Sequence, residues 1–120
     1  MPSVFNYFAL KKNSDDCYKS LTEIAGFKKN WNNYGADPFD DKLIDRVYNL
    51  LNTLPFSPKL FPTANDSIQL EYYSGDDYLE FEVFVDKIVM SKKLGNEFSE
   101  EKRVSASKMP SIIEDFILKE

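Results

Sequence analysis

The hydrophobic pattern of this 120-residue chain changes its period once, across a stretch that contains three prolines. Before the prolines, apolar residues recur at steps of one, three and four, which is typical of one face of an α-helix. They are Leu43, Ile44, Val47, Leu50, Leu51 and Leu54. After the prolines, from Ile68, apolar and polar residues alternate as in a strand with one buried face. The pattern predicts helices that precede a sheet.

Two helices are predicted in the first half of the chain. Helix one is Ser14 to Lys28 and helix two is Pro38 to Leu54. Asp37 is the predicted N-cap of helix two, since its carboxylate can accept hydrogen bonds from the first N–H groups. Pro38 fits the first helical position because proline has no hydrogen bond to lose there.

The segment Pro55 to Ser67 is predicted to be an extended, polyproline-like crossover, because its prolines forbid a continued helix. Three strands are predicted beyond it, with a fourth if Phe98 to Ser105 is also extended. The three are Ile68 to Tyr73, Leu79 to Val85 and Ile88 to Lys92. The turn Ser74-Gly75-Asp76-Asp77 makes the first two a hairpin. A third helix is predicted from Pro110 to Leu118.

These elements predict an α+β fold of two layers, in which an antiparallel meander of three or four strands packs against two N-terminal helices and one C-terminal helix. Apolar residues make up 42% of the chain and aromatic residues 15%, which is enough for a packed interior. Because two cores would leave each half marginal in size, we expect residues 1–120 to form one domain.

The charge balance disfavours several classes of ligand. The chain has 15 Lys and Arg against 20 Asp and Glu, a net charge of -5, so direct binding to nucleic acid or to an anionic membrane is not expected. No run of eighteen apolar residues and no signal-peptide pattern is present, so no membrane span is expected. Cys17 is the only cysteine in the sequence, so an intramolecular disulfide is excluded. This favours a cytoplasmic location.

The chain has no histidine, and this removes the commonest general base and the commonest transition-metal ligand. A Gly-rich phosphate loop, a GxSxG turn and a DxDxDG calcium loop are also missing from the sequence. We therefore predict a protein that is not an enzyme and that needs no cofactor and no metal.

Acidic residues cluster on the predicted hairpin. Glu71, Glu80 and Glu82 share one face, and Asp76 and Asp77 lie at the tip. One interpretation is a solvated outer face whose charges discourage aggregation. The other is an anionic surface that binds a basic partner and accelerates association with it. A metal site is disfavoured because oxygen-only sites need convergent loops.

Aromatic residues form a second group of candidates. Trp31 and Tyr34 lie in a loop rich in turn-forming residues, and Tyr72 and Tyr73 of the first predicted strand are expected as neighbours. Large aromatic side chains are enriched at the centres of interfaces. The alternative is that Trp31 covers the core between the first two helices and fixes the loop.

Several segments together carry a resemblance. They are W-N-N-Y-G-A at 31–36, L-P at 54–55, P-T-A-N-D at 62–66, L-E-Y at 70–72 and L-E-F-E at 79–82. In this order they resemble the pattern W-D-G-x-G-A, L-P, P-T-x-D-G, L-E-W and L-E-I-E of a widespread set of small bacterial and phage proteins without an established activity. The match spans about Trp31 to Asp86. The resemblance implies an accessory protein of a mobile element and supplies no catalytic residue.

Our hypothesis from the sequence is a non-enzymatic inhibitor or neutraliser that covers the surface of a partner protein. Antitoxins, immunity proteins and phage anti-defence proteins, including anti-CRISPR proteins, are of this kind. The partner is expected to be a host or co-encoded protein with a basic surface. The residues expected to contact it are Trp31, Tyr34, Glu71, Tyr73, Asp76, Asp77, Glu80 and Glu82.

Two alternatives stay open at this point. The first is a domain that senses a small ligand or nucleotide in an aromatic pocket beside Trp31 and Tyr34. The second concerns oligomeric state, since a free apolar strand edge at Ile88 to Met90 can support a homodimer.

Overall fold

The computed structural model describes residues 14–118 of the chain. Helix α1 spans Ser14–Ala25 and helix α2 spans Asp41–Leu51. The strands that follow are β1 Lys59–Thr63, β2 Ser67–Ser74, β3 Asp77–Val83, β4 Ile88–Leu94, β5 Glu97–Phe98 and β6 Lys102–Arg103. A short 3-10 helix, Ala106–Lys108, leads into helix α3, Met109–Leu118. Within this range two helices precede the sheet and one follows it, as predicted.

The strands form one antiparallel sheet. Neighbouring strands follow the order β1-β2-β3-β4-β5, and β6 pairs with β4 as well. The predicted α+β class is confirmed, although the described residues contain six strands where three or four were expected.

The core lies between the helices and one face of the sheet. Alternate residues of β2 and β3 are buried there, as the period of two requires. The apolar side chains with no exposed surface are Leu43, Val47, Ile68, Leu70, Leu79, Phe81, Val83, Met109 and Ile113. Both layers contribute to one apolar cluster. None of the helices in residues 14–118 is long and apolar enough to cross a membrane.

Strand β1 lies in the segment that the sequence predicted to be a polyproline-like crossover. It pairs with β2 along its whole length, with Leu60 opposite Leu70 and Pro62 opposite Ile68. The prediction was wrong because a proline is compatible with a strand when that strand lies at the edge of a sheet. Leu60 is buried, so burial of an apolar side chain favours this pairing.

Helix α2 begins later than predicted. Asp40 is its N-cap, with the side-chain oxygen accepting a hydrogen bond from the backbone N–H of Lys42 at 2.8 Å. Asp37, the predicted cap, instead forms a salt bridge of 2.8 Å with Lys29. Phe39 lies between these two aspartates and is buried, so packing of its ring fixes the chain before the helix starts.

The last predicted strand, Phe98 to Ser105, is two short strands, and both pair with β4. Arg103 lies opposite Val89, and Lys102 lies opposite Met90. The free edge predicted at Ile88 to Met90 is therefore occupied by β6. A homodimer through that edge requires β6 to leave it.

Candidate functional site

The strand register places fifteen residues on the face of the sheet opposite the core, which we call the outer face. They are Lys59, Phe61, Thr63, Ser67, Gln69, Glu71, Tyr73, Tyr78, Glu80, Glu82, Val89, Ser91, Lys93, Phe98 and Arg103. Glu71 lies directly opposite Glu80, and Glu82 lies opposite Gln69. The three predicted carboxylates therefore share one face across two neighbouring strands.

Two tyrosines tie these carboxylates in place. The hydroxyl of Tyr73 donates a hydrogen bond to Glu71 at 2.6 Å, and the hydroxyl of Tyr78 donates one to Glu80 at 2.5 Å. The two tyrosines are themselves a cross-strand pair, with ring centroids 5.1 Å apart. The result is a four-residue cluster in which each phenol is bonded to the acid two residues along its own strand.

The third carboxylate is held by a chain of hydroxyl groups. Ser67, which is fully buried, donates to Glu82 at 2.6 Å, and its oxygen lies 2.5 Å from the hydroxyl oxygen of Thr63. A hydroxyl has one proton to donate, so the Ser67 proton goes to Glu82 and Thr63 donates to Ser67. Thr63 in turn accepts from the backbone N–H of Asn65 at 3.1 Å. The chain orients Glu82 from the edge strand.

The cluster changes the proton affinity of its members. Burial raises the pKa of Glu80, the charges of Glu71 and Glu82 add to this effect, and the hydrogen bond from Tyr78 opposes it. The hydrogen bond to Glu71 raises the pKa of Tyr73 to about 12. Burial, and then the bond to Glu80, also raises the pKa of Tyr78. Both phenols therefore stay protonated, and remain hydrogen-bond donors, to a higher pH than a free tyrosine.

Within residues 14–118, no cation forms a salt bridge with Glu71, Glu80 or Glu82. Two lysines of the outer face lie against aromatic rings, with the Lys59 ammonium 5.7 Å from the Tyr73 ring centroid and that of Lys93 5.6 Å from the Phe98 ring centroid. Arg103 lies on the same face, opposite Val89. The described acidic and cysteine side chains also include no group of three arranged to hold a metal ion.

Aromatic side chains surround the acids. Tyr73 is 54% exposed and Phe98 is 78% exposed, and Phe61 on the edge strand is also exposed. Monomeric proteins rarely keep several large apolar side chains exposed on one face without a use for them. The outer face therefore combines unpaired negative charge with exposed aromatic surface.

The two aspartates of the hairpin tip behave differently from one another. A side-chain oxygen of Asp77 accepts a hydrogen bond from the backbone N–H of Gly95 at 2.8 Å, which joins the β2–β3 turn to the β4–β5 turn. Asp76 is exposed at the tip. The structure therefore places Asp77 in a turn-to-turn contact and leaves Asp76 at the surface beside the outer face.

The predicted aromatic pair of the loop does not form a common site. Trp31 stacks on Phe27 with centroids 5.2 Å apart, lies 5.5 Å from the Phe39 ring, and donates its indole N–H to the carbonyl of Asp37 at 2.9 Å. Tyr34 is 92% exposed. Trp31 thus packs on the core beside α1 and α2, while Tyr34 projects into solvent.

The loop is shaped by three asparagines and a glycine. Asn30, Asn33 and Gly35 have positive φ angles, which asparagine and glycine adopt most readily. The side-chain oxygen of Asn32 accepts from the backbone N–H groups of Tyr34 and Ala36. Hydrogen bonds within the loop therefore fix its shape.

Sequence reasoning missed several members of the outer face. Tyr78 was placed before the predicted strand, although it shares the period of two with Glu80 and Glu82 and belongs to β3. Ser67 and Phe61 were missed because the crossover was not predicted to be a strand. Phe98 carried no signal of its own, since its pairing with Lys93 depends on a two-residue strand.

Comparison with known proteins gave no relative: a scan against protein-family models, a search of curated proteins and a search of solved structures each found no match.

Proposed function

We propose that this protein is a non-enzymatic inhibitor or neutraliser that binds a partner protein through the outer face. The observation that carries the proposal is the set of three carboxylates, Glu71, Glu80 and Glu82, which are oriented by hydroxyl groups and lack a cation within the described chain. An antitoxin, an immunity protein or a phage anti-defence protein, such as an anti-CRISPR protein, acts in this way.

The physical argument begins with desolvation. Glu71 is almost fully buried and Glu80 and Glu82 are partly buried, so each has lost part of its hydration. A basic side chain from a partner would replace that water with a charge-assisted hydrogen bond. Arginine fits best, because its planar guanidinium can bond two oxygens at once.

The exposed aromatic side chains around the carboxylates also favour binding of a partner protein. Rings such as Tyr73 and Phe61 bury a large area on contact and exclude water from the charged pairs at the centre. Interfaces with this composition concentrate their binding energy in a few central residues. We place that centre at the Glu71 and Glu80 pair.

The charge of the whole chain favours the same partner. A net charge of -5 attracts a basic surface over a distance and raises the association rate at low salt. Surfaces that hold nucleic acid are basic, so a nucleic-acid-binding protein of the host is a suitable target. The resemblance to small phage and bacterial proteins between Trp31 and Asp86 supports a mobile-element origin.

The test removes the negative charge of two outer-face carboxylates and keeps the size of their side chains. The double variant Glu71→Gln with Glu80→Gln keeps an oxygen that can accept from each tyrosine, and it changes the net charge from -5 to -3. The matched control, Glu114→Gln with Asp115→Asn on exposed positions of α3, changes the net charge by the same amount. Affinity purification from the host with the wild type, followed by binding kinetics on the captured partner, compares the three proteins.

We expect the outer-face variant to dissociate at least about tenfold faster, and the control to change the association rate alone and by less. Equal behaviour of the two variants would refute the outer face as the interface. Failure of the wild type to bind any protein in stoichiometric amount would refute the function itself.

A further inference from the structure

A groove lies between helix α2 and the segment that leads into helix α3. Its volume is about 670 Å³, and its walls include Lys42, Arg46 and Leu50 from α2 and Val85 and Pro110 from the opposite side. Volumes of roughly 300 to 1,000 Å³ are typical of small-molecule sites. The groove lies on a different part of the molecule from the outer face, because its walls come from the helices and from the β3–β4 turn.

Arg46 is the unusual residue of this groove. Its Nε atom is buried, and within residues 14–118 it has no hydrogen-bond acceptor. The side chain as a whole is half-buried and forms no salt bridge with a described residue. A guanidinium that has lost water without gaining an acceptor is energetically unfavourable. An anion in the groove would satisfy this N–H once the side chain turns towards the groove that it lines, because solvent does not reach Nε in the present arrangement.

A second cation lies beside it. Lys42 precedes Arg46 by one helical turn, so both side chains line the groove from the same face of α2. Like charges at this spacing repel one another, and a bound anion would relieve the repulsion. Asp45 also lines the groove, so two positive charges and one negative charge leave a net charge of +1. This balance fits one monoanion better than a dianionic phosphate.

The rest of the groove is apolar. Val85 is exposed at the β3–β4 turn, Leu50 comes from the core side of α2, and Pro110 lies at the start of α3. An apolar wall beside a small number of charged groups is the usual composition of a site for an amphipathic small molecule. The carboxylate is the monoanion whose two oxygens match the guanidinium fork.

We propose that this groove binds a small molecule that carries one carboxylate and an apolar body. Arg46 and Lys42 bind the carboxylate, and the apolar body lies against Val85 and Pro110. The site is independent of the outer face and of the aromatic loop at Trp31.

The first test titrates the wild-type protein with 4-phenylbutyrate and follows backbone amide shifts by NMR. Two matched probes separate the parts of the ligand: 4-phenylbutanol has the same body without charge, and acetate has the charge without the body. We expect saturable shifts at residues of the groove with a dissociation constant on the order of 1 mM, and binding about tenfold weaker for each control probe. Acetate binding as tightly as phenylbutyrate would overturn the proposal.

The second test uses variants with the same probe. Arg46→Gln should weaken phenylbutyrate binding at least about tenfold, and Lys42→Gln should weaken it by about two- to fivefold. Arg103→Gln removes the only other arginine of the sequence and should leave binding unchanged. Equal losses in the two arginine variants, or no shift in the groove at about 10 mM probe, would contradict the assignment.

The proposal can still be tested if one of the variants does not fold. If Arg46→Gln fails to fold, the Lys42→Gln variant and the comparison of charged with neutral probe still decide the outcome. The outer-face variant Glu71→Gln with Glu80→Gln should bind phenylbutyrate like the wild type, so failure of the groove and failure of the proposed function are distinguishable.

Discussion

The outer face and the loop from Asn30 to Asp37 both hold aromatic side chains beside polar ones, but the two regions organise them in opposite ways. In the loop, Trp31 turns towards the core and Tyr34 turns towards solvent. On the outer face, Tyr73 and Tyr78 lie side by side, and each bonds to an acid. Strand register brings residues together there, whereas the loop separates neighbours.

Comparison of the two regions shows how strand geometry fixes polar side chains on a surface. A strand places every second side chain on the same face, so residues two positions apart meet whenever their side chains are long enough. A loop of eight residues has no such period. In this loop the asparagine side chains form hydrogen bonds with the backbone of the loop itself. We therefore expect changes in the loop to affect stability, and changes on the outer face to affect binding as well.

The largest expected effect is in the loop. Trp31→Ala should lower the free energy of unfolding by about 2–3 kcal/mol, because it removes a half-buried ring and its hydrogen bond to the Asp37 carbonyl. Tyr34→Ala should stay within about 0.5 kcal/mol. Urea unfolding measures both, and similar losses for the two variants would contradict the division within the loop.

A smaller effect is expected from the two phenols. Tyr78→Phe should cost about 1–2 kcal/mol, since Glu80 is partly buried and loses its donor. Tyr73→Phe should cost a similar amount, about 1–2 kcal/mol, because Glu71 is almost fully buried and also loses its donor. Chemical unfolding provides the comparison, and a double-mutant cycle of Tyr78→Phe with Glu80→Gln isolates the pair. A coupling energy of zero would show that the bond contributes nothing.

The hairpin tip offers a matched pair of neighbouring aspartates. Asp77→Ala removes the acceptor for the Gly95 N–H and should cost about 0.5–1 kcal/mol. Asp76→Ala should have no measurable effect on stability, because this residue is exposed at the tip. Thermal unfolding of the two variants side by side is sufficient, and a larger loss at Asp76 would reverse the assignment of roles.

The smallest expected effect is a pH dependence that comes from Glu80. Its pKa in the folded state is raised above the ordinary value of 4.5, mainly by burial, so the folded state holds this proton more tightly than the unfolded state does. The contribution to stability is complete below pH 4.5 and is lost as the pH rises through the folded pKa. The unfolding free energy of the wild type relative to Glu80→Gln should therefore decrease as the pH rises above 4.5. A difference that increases with pH would contradict this sign.

The sequence predicted the parts of the fold that have a strong period. The apolar stripe of helix α2 and the alternation from Ile68 to Val83 were sufficient to predict a helix before a hairpin. Strand β1 was missed because Pro62 argues against a strand unless the edge position is known. β5 and β6 have two residues each, which is too short for any period.

The candidate site was predicted in part. The alternation of apolar and polar residues predicted that Glu71, Glu80 and Glu82 lie on the same face of the hairpin. The structure places all three on that face. The hydroxyl partners Ser67 and Thr63 depend on an edge strand that was not predicted, and Arg46 is an ordinary charged residue in a helical pattern. Only the folded structure shows that the Nε atom of Arg46 is buried without a hydrogen-bond acceptor among residues 14–118.

The way in which β5 and β6 cover strand β4 has a consequence for motion. Two pairs of residues hold each short strand, and the segment from Leu94 to Arg103 is exposed throughout. Such a flap has few buried contacts and opens at a lower free energy than β2 and β3, which are paired along their length. Amide protons of Lys102 and Arg103 should exchange with solvent before those of Leu70 and Phe81, and a protease should cut this segment before it cuts β2 or β3.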